Sequence, residues 1–409
     1  MLLARQLDVM TTGNDAYLMV FLRAVKRAGL DVRLIFAPRR SFMNRPWLHL
    51  HQAYADIASE IVWPQTVRVG NWFWSLSPYI WGRFAVRLFR ETLRRLKINP
   101  AGLARISSPL GHPLTRAEER QLANESNRRP AVVAVAEYSS LAPVLERIAP
   151  GVHKAALLHD LFSLRAASFR DGGTRPDHAD TTIETEARWV RAAETLFYAS
   201  RNEMAAFAPQ APNAVGVWLR PEVPGQKPEP APGPARAVFI GTKHGGNTDA
   251  MHHLVRDIWP LVRKQSPEAE LWIAGSTCSD LTPEDLAQPG VKALGRVPSL
   301  AVLGGPGSLG LAPTRVASGV SIKVAEYLQL GMPTVVYPTA LEGFGDALSD
   351  LVEIAPDTQA LADTVVALLN DPERRSALSE RGVRETPGRL SNDEVVARLS
   401  GLTPGCKSN

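Results

Sequence analysis

At 409 residues the chain is too long for one ordinary core, and two domains of roughly 150–220 residues are expected. An apolar share of 45% and a charged share of 21% fit a soluble globular protein, and no run of about 18–20 apolar residues marks a membrane-spanning helix. A net charge of +5 suits anionic partners: nucleotide phosphates, lipid headgroups or nucleic acid.

The opening segment, LLARQLDV, is a poor strand because Arg5, Gln6 and Asp8 interrupt it. Either this sheet edge is unusual or the natural start lies upstream of Met1. No basic leader with an apolar stretch and cleavage site precedes it, so a cytoplasmic location is expected. Tyr17 to Ala28 reads as a helix and Val32 to Phe36 as a strand. From Trp72 to Lys97 aromatics (Trp72, Trp74, Trp81 among them) interleave with cations including Arg83, Arg87 and Arg94. That pattern predicts an interfacial helix on an anionic membrane surface, or a core helix with a solvated basic face; no nucleic-acid-binding motif accompanies it.

Val132–Val135, Ala155–Leu158 and Thr195–Tyr198 are apolar strand candidates. His159 and Asp160 follow the second of these. An aspartate at a strand's carboxyl end can act as a general base, or it can cap the helix that follows. Glu137, after Ala136, is a weaker candidate of the same kind, as is His159. Residues 171–185 read as a polar loop that closes over an acceptor.

Pro221 to Ala235 holds six prolines and predicts a stiff linker. It divides the chain into 1–220, the linker 221–235, a second domain over 236–385 and a tail over 386–409 that crosses back. In the second domain, Ala237–Ile240, Glu270–Ala274, Val291–Leu294, Leu309–Ala312 and Thr334–Tyr337 are strands. The segments between them have helical periodicity, with Asn247 or Thr248 as one cap and Gly331 as one stop. Leu361–Leu369 reads as the last amphipathic helix. Strands alternating with helices make an α/β protein with parallel sheets.

Ligands of such sheets bind beyond the carboxyl ends of strands. Gly241, Thr242, Lys243, Gly245 and Gly246 lead into a helix N-terminus suited to an anion, though an ordinary glycine turn reads the same. Ser318, Gly319, Val320 and Ser321 open the helix carrying Lys323 and Glu326. This group suits a phosphate and a ribose, or is an exposed ion pair worth about 0.3–0.5 kcal/mol. Gly305–Gly310 spells G-x-G-x-x-G, but a strand follows it instead of a helix, so it is a turn. Cys278 and Cys406 stand far apart without His at metal spacing, so neither a disulfide nor zinc is expected.

The strings Phe239-Ile-Gly-Thr, Asn247-Thr-Asp-Ala, Ser318 to Tyr327 and Leu369-Asn-Asp-Pro, in this order, resemble the donor domain of bacterial family 4 glycosyltransferases. The resemblance covers about 150 residues and implies the GT-B fold: two Rossmann-like domains with parallel sheets facing across a cleft. It implies that Gly241 and Thr242 face a diphosphate, that Gly319 to Ser321 offer backbone N–H groups, and that Lys323 neutralises phosphate. Glu326 would hold the ribose and the backbone near Val297 would meet the base. Many such enzymes carry E-x7-E, and here Ser318 stands at the first position. The Ser–Lys helix is also similar to that of xanthan-type glucuronosyltransferases, which implies an aspartate base, matched by Asp160.

The expectation is a metal-independent, cofactor-free glycosyltransferase at the inner face of the cell membrane. It would use a nucleotide-diphosphate-sugar and a saccharide or lipid-linked saccharide acceptor, in exopolysaccharide or cell-surface glycan synthesis, with no nucleic acid as partner. The alternatives are a nucleotide-sugar epimerase on the same fold and a non-catalytic binding subunit.

Overall fold

The computed structural model describes residues 1–8, 13–42, 45–95, 111–171, 181–223, 228, 233–315 and 319–402. Ser318 and most of the proline-rich segment lie outside the described residues, as do 172–180 and the side chain of Arg94. The chain forms two compact units. One comprises residues 1–199, 203–219 and 392–409; the other comprises 200–202 and 220–391.

The first unit contains strands β1 (Leu2–Leu3), β2 (Arg33–Phe36), β3 (Trp47–His49), β4 (Glu60–Val62), β5 (Thr66–Val69), β6 (Trp72–Ser75), β7 (Val133–Glu137), β8 (His153–Leu158), β9 (Thr195–Tyr198) and β10 (Val215–Trp218). Seven of them make one parallel sheet in the order β10-β9-β8-β7-β1-β2-β4. The opening strand, doubtful on composition, is therefore central and only two residues long. Leu2 and Leu3 are fully buried, while Arg5 and Gln6 have already left the ladder. Polar side chains are tolerated because they lie beyond the strand's carboxyl end. The helix before β2 begins at Gly13, ahead of Tyr17, and runs to Arg27. The helix Asp393–Ser400 packs in this unit, with Val395 and Leu399 buried and Asp393 paired to Arg27 at 2.6 Å.

The aromatic–basic segment departs from the sequence expectation. Trp72 and Trp74 are on a strand, not a helix: β6 is the middle of a three-stranded antiparallel sheet, β3-β6-β5. The helix begins only at Pro78 and ends at Arg95. Period-2 burial decides the matter, since Phe73 and Ser75 are buried while Trp72 and Trp74 face outward. Among the described residues no helix is long and apolar enough to cross a membrane.

The second unit contains β11 (Arg236–Ile240), β12 (Leu271–Ala274), β13 (Val291–Gly295), β14 (Ser308–Ala312), β15 (Thr334–Val336) and β16 (Glu353–Ile354), parallel in the order β13-β12-β11-β14-β15-β16. The core includes Phe239, Met251, Trp259, Leu271, Ile273 and Leu311. The helix after β11 starts at Gly245 and is capped by His244, whose Nδ1 accepts from Gly246 N, instead of by Asn247 or Thr248. Leu361–Leu369 is not the last helix. It lies within Thr358–Asn370, and Pro372–Arg389 and Asp393–Ser400 follow.

Both sheets reverse strand order beside their first strand, between β1 and β7 in one unit and between β11 and β14 in the other. Loops leaving in opposite directions there open the crevice where ligands of such sheets bind. Close approach behind the second crevice depends on Gly275, which has φ +99°; an added Cβ would lie 2.2 Å from Gly241 O. Gly275→Ala is expected to destabilise the protein by about 3 kcal/mol, from backbone strain plus overpacking. Urea unfolding monitored by circular dichroism checks this, and a loss below about 0.5 kcal/mol would contradict it.

Candidate donor site and acceptor-side cluster

In the second unit, the loop after β11 and the helix Ile322–Gln329 are held by Tyr327. Its hydroxyl accepts from Ile240 N at 2.8 Å and donates to Leu311 O at 3.2 Å, so one fully buried side chain ties the helix to β11 and β14. Gly310 makes room for it, since a Cβ there would meet the Tyr327 ring at 2.4 Å. Gly319 has φ +75°, and the helix N-cap, Ser321, makes no side-chain capping bond. Val320 rests against Gly343, where a Cβ would meet it at 2.8 Å.

Lys323 is 9% exposed. Its ammonium donates to Asn247 Oδ1 at 2.6 Å and lies 4.3 Å from the centre of the Phe239 ring. Burial lowers its pKa to about 8, only partly opposed by Glu326. Burial also raises the Glu326 carboxyl, with Lys323 opposing. The two are thus not the exposed surface pair that spacing alone allowed. Asn247 in turn donates to Thr242 O at 3.0 Å within its own loop, so the Lys323–Asn247 bond is the one that joins the two loops across the crevice.

The remaining sequence candidates are placed less favourably. Gly241 N is committed to Ala274 O at 3.0 Å. Lys243 is ion-paired with Asp280 and donates to Ser279 Oγ at 3.2 Å, on the β12 side of the loop. Val297 is half-buried in the loop after β13.

In the first unit, Glu137 ends β7 and is 1% exposed. Its Oε1 accepts from Arg5 Nε at 2.8 Å and lies 2.9 Å from His159 Nε2. Arg5 also pairs with Asp15 at 2.6 Å. Burial would raise the Glu137 carboxyl, but Arg5 and His159 outweigh it and hold it below the ordinary value. Asp160 accepts from Arg165 at 3.0 Å.

Asp160 does not cap the next helix, Phe162–Asp171. Glu186, fully buried, accepts from Phe162 N at 3.0 Å, Ser163 N at 2.8 Å, and the Ser139 and Ser163 hydroxyls, each at 2.5 Å. Glu203 accepts from Leu161 N at 3.1 Å. Part of the expected acceptor loop is helical, since Thr182 caps Ile183–Val190.

With this geometry in hand, residues 234–371 match the family model described as glycosyl transferases group 1. The second unit carries a glycosyltransferase domain. No curated protein is significantly similar to the chain in sequence. Among solved structures, the chain resembles WaaG, a glycosyltransferase involved in lipopolysaccharide biosynthesis, at 12% identity and a TM-score of 0.52 over 99% of each chain. It resembles an E. coli trehalose-6-phosphate structure bound with UDP-2-fluoro glucose at 12% identity and a TM-score of 0.58, covering 98% of this chain and 99% of that one. TarM matches at 11% identity and a TM-score of 0.50 over 66% of this chain, which spans 54% of TarM's length. These likenesses establish the GT-B fold.

Several residues of these two clusters were not legible as such. Asn247 read as a helix cap, Arg5 as a defect in a strand, and Glu186 and Glu203 not at all. Arg5 and Glu137 are 132 positions apart, and no local pattern reports such a pairing.

The buried ammonium gives the glycosyltransferase a signature in stability. Lys323 has a folded pKa near 8 against 10.5 for the free side chain, so between these values the unfolded chain binds the extra proton. Stability therefore rises with pH across that window, by about 3 kcal/mol in all from this group. Lys323→Met is expected to remove the rise. Urea midpoints for both proteins from pH 7.5 to 10.5 check it, and parallel curves would contradict it.

Proposed function

We propose that this glycosyltransferase moves a sugar from a nucleotide-diphosphate-sugar to a lipid-linked saccharide, working at an anionic membrane surface in cell-surface glycan synthesis. The observation that carries the donor half is the buried Lys323 beside Asn247 and Glu326, at the strand-order reversal of a glycosyltransferase domain. An ammonium kept 9% exposed with one neutral acceptor at 2.6 Å is poorly compensated by the protein alone. A diphosphate supplies the missing charge. Positive-φ Gly319 and the unbonded Ser321 cap leave backbone N–H groups at the helix start for the same anion. The half-buried Glu326 carboxylate accepts ribose hydroxyls. Lys323 and backbone amides meet the diphosphate charge, so this reading needs no metal. The neighbour holding UDP-2-fluoro glucose supports the ligand class.

The acceptor half rests on the first unit's surface. Val67, Val69, Trp72, Trp74, Leu76, Tyr79, Trp81 and Phe89 are each 40–65% exposed, which is more apolar surface in one stretch than a solvated face needs. Trp47 gathers Trp74, Trp81 and Phe84 around it at 4.9–6.4 Å. The guanidinium groups of Arg39 and Arg83 lie 5.4 and 5.8 Å from the Tyr79 ring. Aromatic anchors with neighbouring cations suit the headgroup layer of an anionic membrane, and the likeness to a glycosyltransferase of lipopolysaccharide biosynthesis accords with a lipid-linked acceptor.

Thermal unfolding with UDP, GDP, dTDP and CDP tests the donor site. At about 100 times its dissociation constant, one of these should add about 2.7 kcal/mol to the wild type and much less to Glu326→Ala. No shift with any nucleotide would sink the donor reading and favour a subunit that binds glycan without catalysis. For the surface, flotation with phosphatidylglycerol vesicles at low salt should recover the protein. The Trp72→Ala/Trp74→Ala double variant should bind at least about tenfold more weakly, since each ring withdrawn from lipid forfeits more than 1 kcal/mol. A wild type that stays at the bottom of the gradient contradicts the membrane reading.

A further inference from the structure

The seam between β11 and β14 opens before either strand ends. The two pair as Arg236↔Ser308, Ala237↔Leu309 and Val238↔Gly310, and there the ladder stops, although β11 runs on to Ile240 and β14 to Ala312. On their other sides both strands stay paired to the last residue, Ile240 with Ala274 and Ala312 with Val336. In this register an N–H of β11 donates to the carbonyl one residue before its partner, as Arg236 N does to Gly307 O at 3.0 Å. The next open rung would run from Ile240 N to Leu311 O. The Tyr327 hydroxyl takes its place, accepting from Ile240 N at 2.8 Å and donating to Leu311 O at 3.2 Å. The reciprocal rung would need an N–H at residue 313, which is a proline and has none.

A hydroxyl inserted into a rung satisfies a buried donor and a buried acceptor that the open seam would strand. It also fixes the height of the helix Ile322–Gln329 over the strand ends. Lys323 lies one turn earlier on the same helix face, with its ammonium 4.3 Å from the centre of the Phe239 ring. Side chains four apart on the helix thus rest on consecutive residues of β11, Phe239 and Ile240. Tyr327 is fully buried, and that burial holds its hydroxyl protonated, so it donates and accepts at once.

We propose that Tyr327 is a positioning residue for nucleoside-diphosphate binding: its hydroxyl stands in for the missing rung at the strand-order reversal, keeps the carboxyl ends of β11 and β14 from zipping together, and holds Lys323 at the height a diphosphate needs. The proposal rests on the donor-site reading. Tyr327 touches no ligand and acts through Lys323 and the helix that carries both. Without the hydroxyl, the rung closes directly and draws the strands together, or it leaves Ile240 N and Leu311 O unpaired. In both cases the helix loses its hydrogen-bonded anchor on β11, and the ammonium of Lys323 is freed from its seat between Asn247 and Phe239.

Two readouts on the full chain test this. For whichever of UDP, GDP, dTDP and CDP binds the wild type, isothermal titration should give a Kd at least about tenfold weaker in Tyr327→Phe, a loss of about 1.4 kcal/mol. Trp259→Phe is the control. It loses a buried bond from Nε1 to Pro289 O at 2.9 Å, ahead of β13 at the amino end of the same sheet, and should be less stable with its Kd unchanged. The second readout needs no ligand. The rise in urea midpoint that buried Lys323 produces, followed from pH 7.5 to 9.5 and so below the ordinary tyrosine range, should shrink by at least about half in Tyr327→Phe and persist in Trp259→Phe. A tyrosine that only stabilises the fold would lower the midpoint equally at every pH and leave Kd alone, and that result overturns the proposal. If no nucleotide binds the wild type, the donor reading falls and this role with it; wild-type binding matched by Tyr327→Phe overturns this role alone. Should Tyr327→Phe fail to fold, the wild type decides. The hydroxyl proton beside the Ile240 amide, assigned through Ile240→Val, should exchange more slowly once the nucleotide is added, and exchange at the rate of an exposed tyrosine, or no slowing, overturns the proposal.

Discussion

A parallel sheet whose strand order reverses cannot close its own carboxyl edge. The loops leaving the two strands at the reversal run to opposite faces, and the backbone groups and side chains between them must find partners across the gap. Each unit of this protein is organised around that constraint. In the first, the gap between β1 and β7 is bridged by Arg5 and Glu137. In the second, the gap between β11 and β14 is bridged by the Tyr327 hydroxyl at the level of the strands and, one layer out, by Lys323 reaching Asn247.

The two bridges differ in kind. In the first unit a guanidinium meets two carboxylates, so charge is compensated within the protein, and the Nδ1 of His159 has no hydrogen-bond partner among the described residues. In the second unit an ammonium meets, among the described residues, an amide oxygen and the face of a phenyl ring, with the carboxylate of Glu326 itself pushed toward neutrality by burial. That site carries poorly compensated positive character.

Burial of carboxylates on backbone N–H groups also shapes the first unit. Glu186 occupies the N-terminus of the helix after His159, a place that would otherwise attract a ligand's anion. By filling it from within, the protein fixes the turn that carries His159 and Asp160. The outward face of β6 and the helix after it follow the opposite rule, leaving apolar rings in solvent while the inward face packs. That imbalance is a surface property and costs the fold little.

Much of this was legible in the residues alone. Alternating apolar runs and helical periods were enough for two α/β halves, because a strand buried on both faces must be continuously apolar and a covering helix must be amphipathic. The crevice after β11 and the helix of Lys323 and Glu326 were legible too, since glycines and a cation at a strand's carboxyl end have few other uses. Three things were decided only by tertiary structure. The opening strand's centrality depends on neighbours at β2 and β7, so its two leucines looked too few. The strand at Trp72–Ser75 is set by pairing with β3 and β5, which outweighs a helical run of aromatics and arginines. The partners of His159, Asp160 and Lys323 come from 5 to 76 positions away in the chain, and side-chain electrostatics acts through space: local pattern can nominate a titratable residue, but only the fold determines which charge it faces.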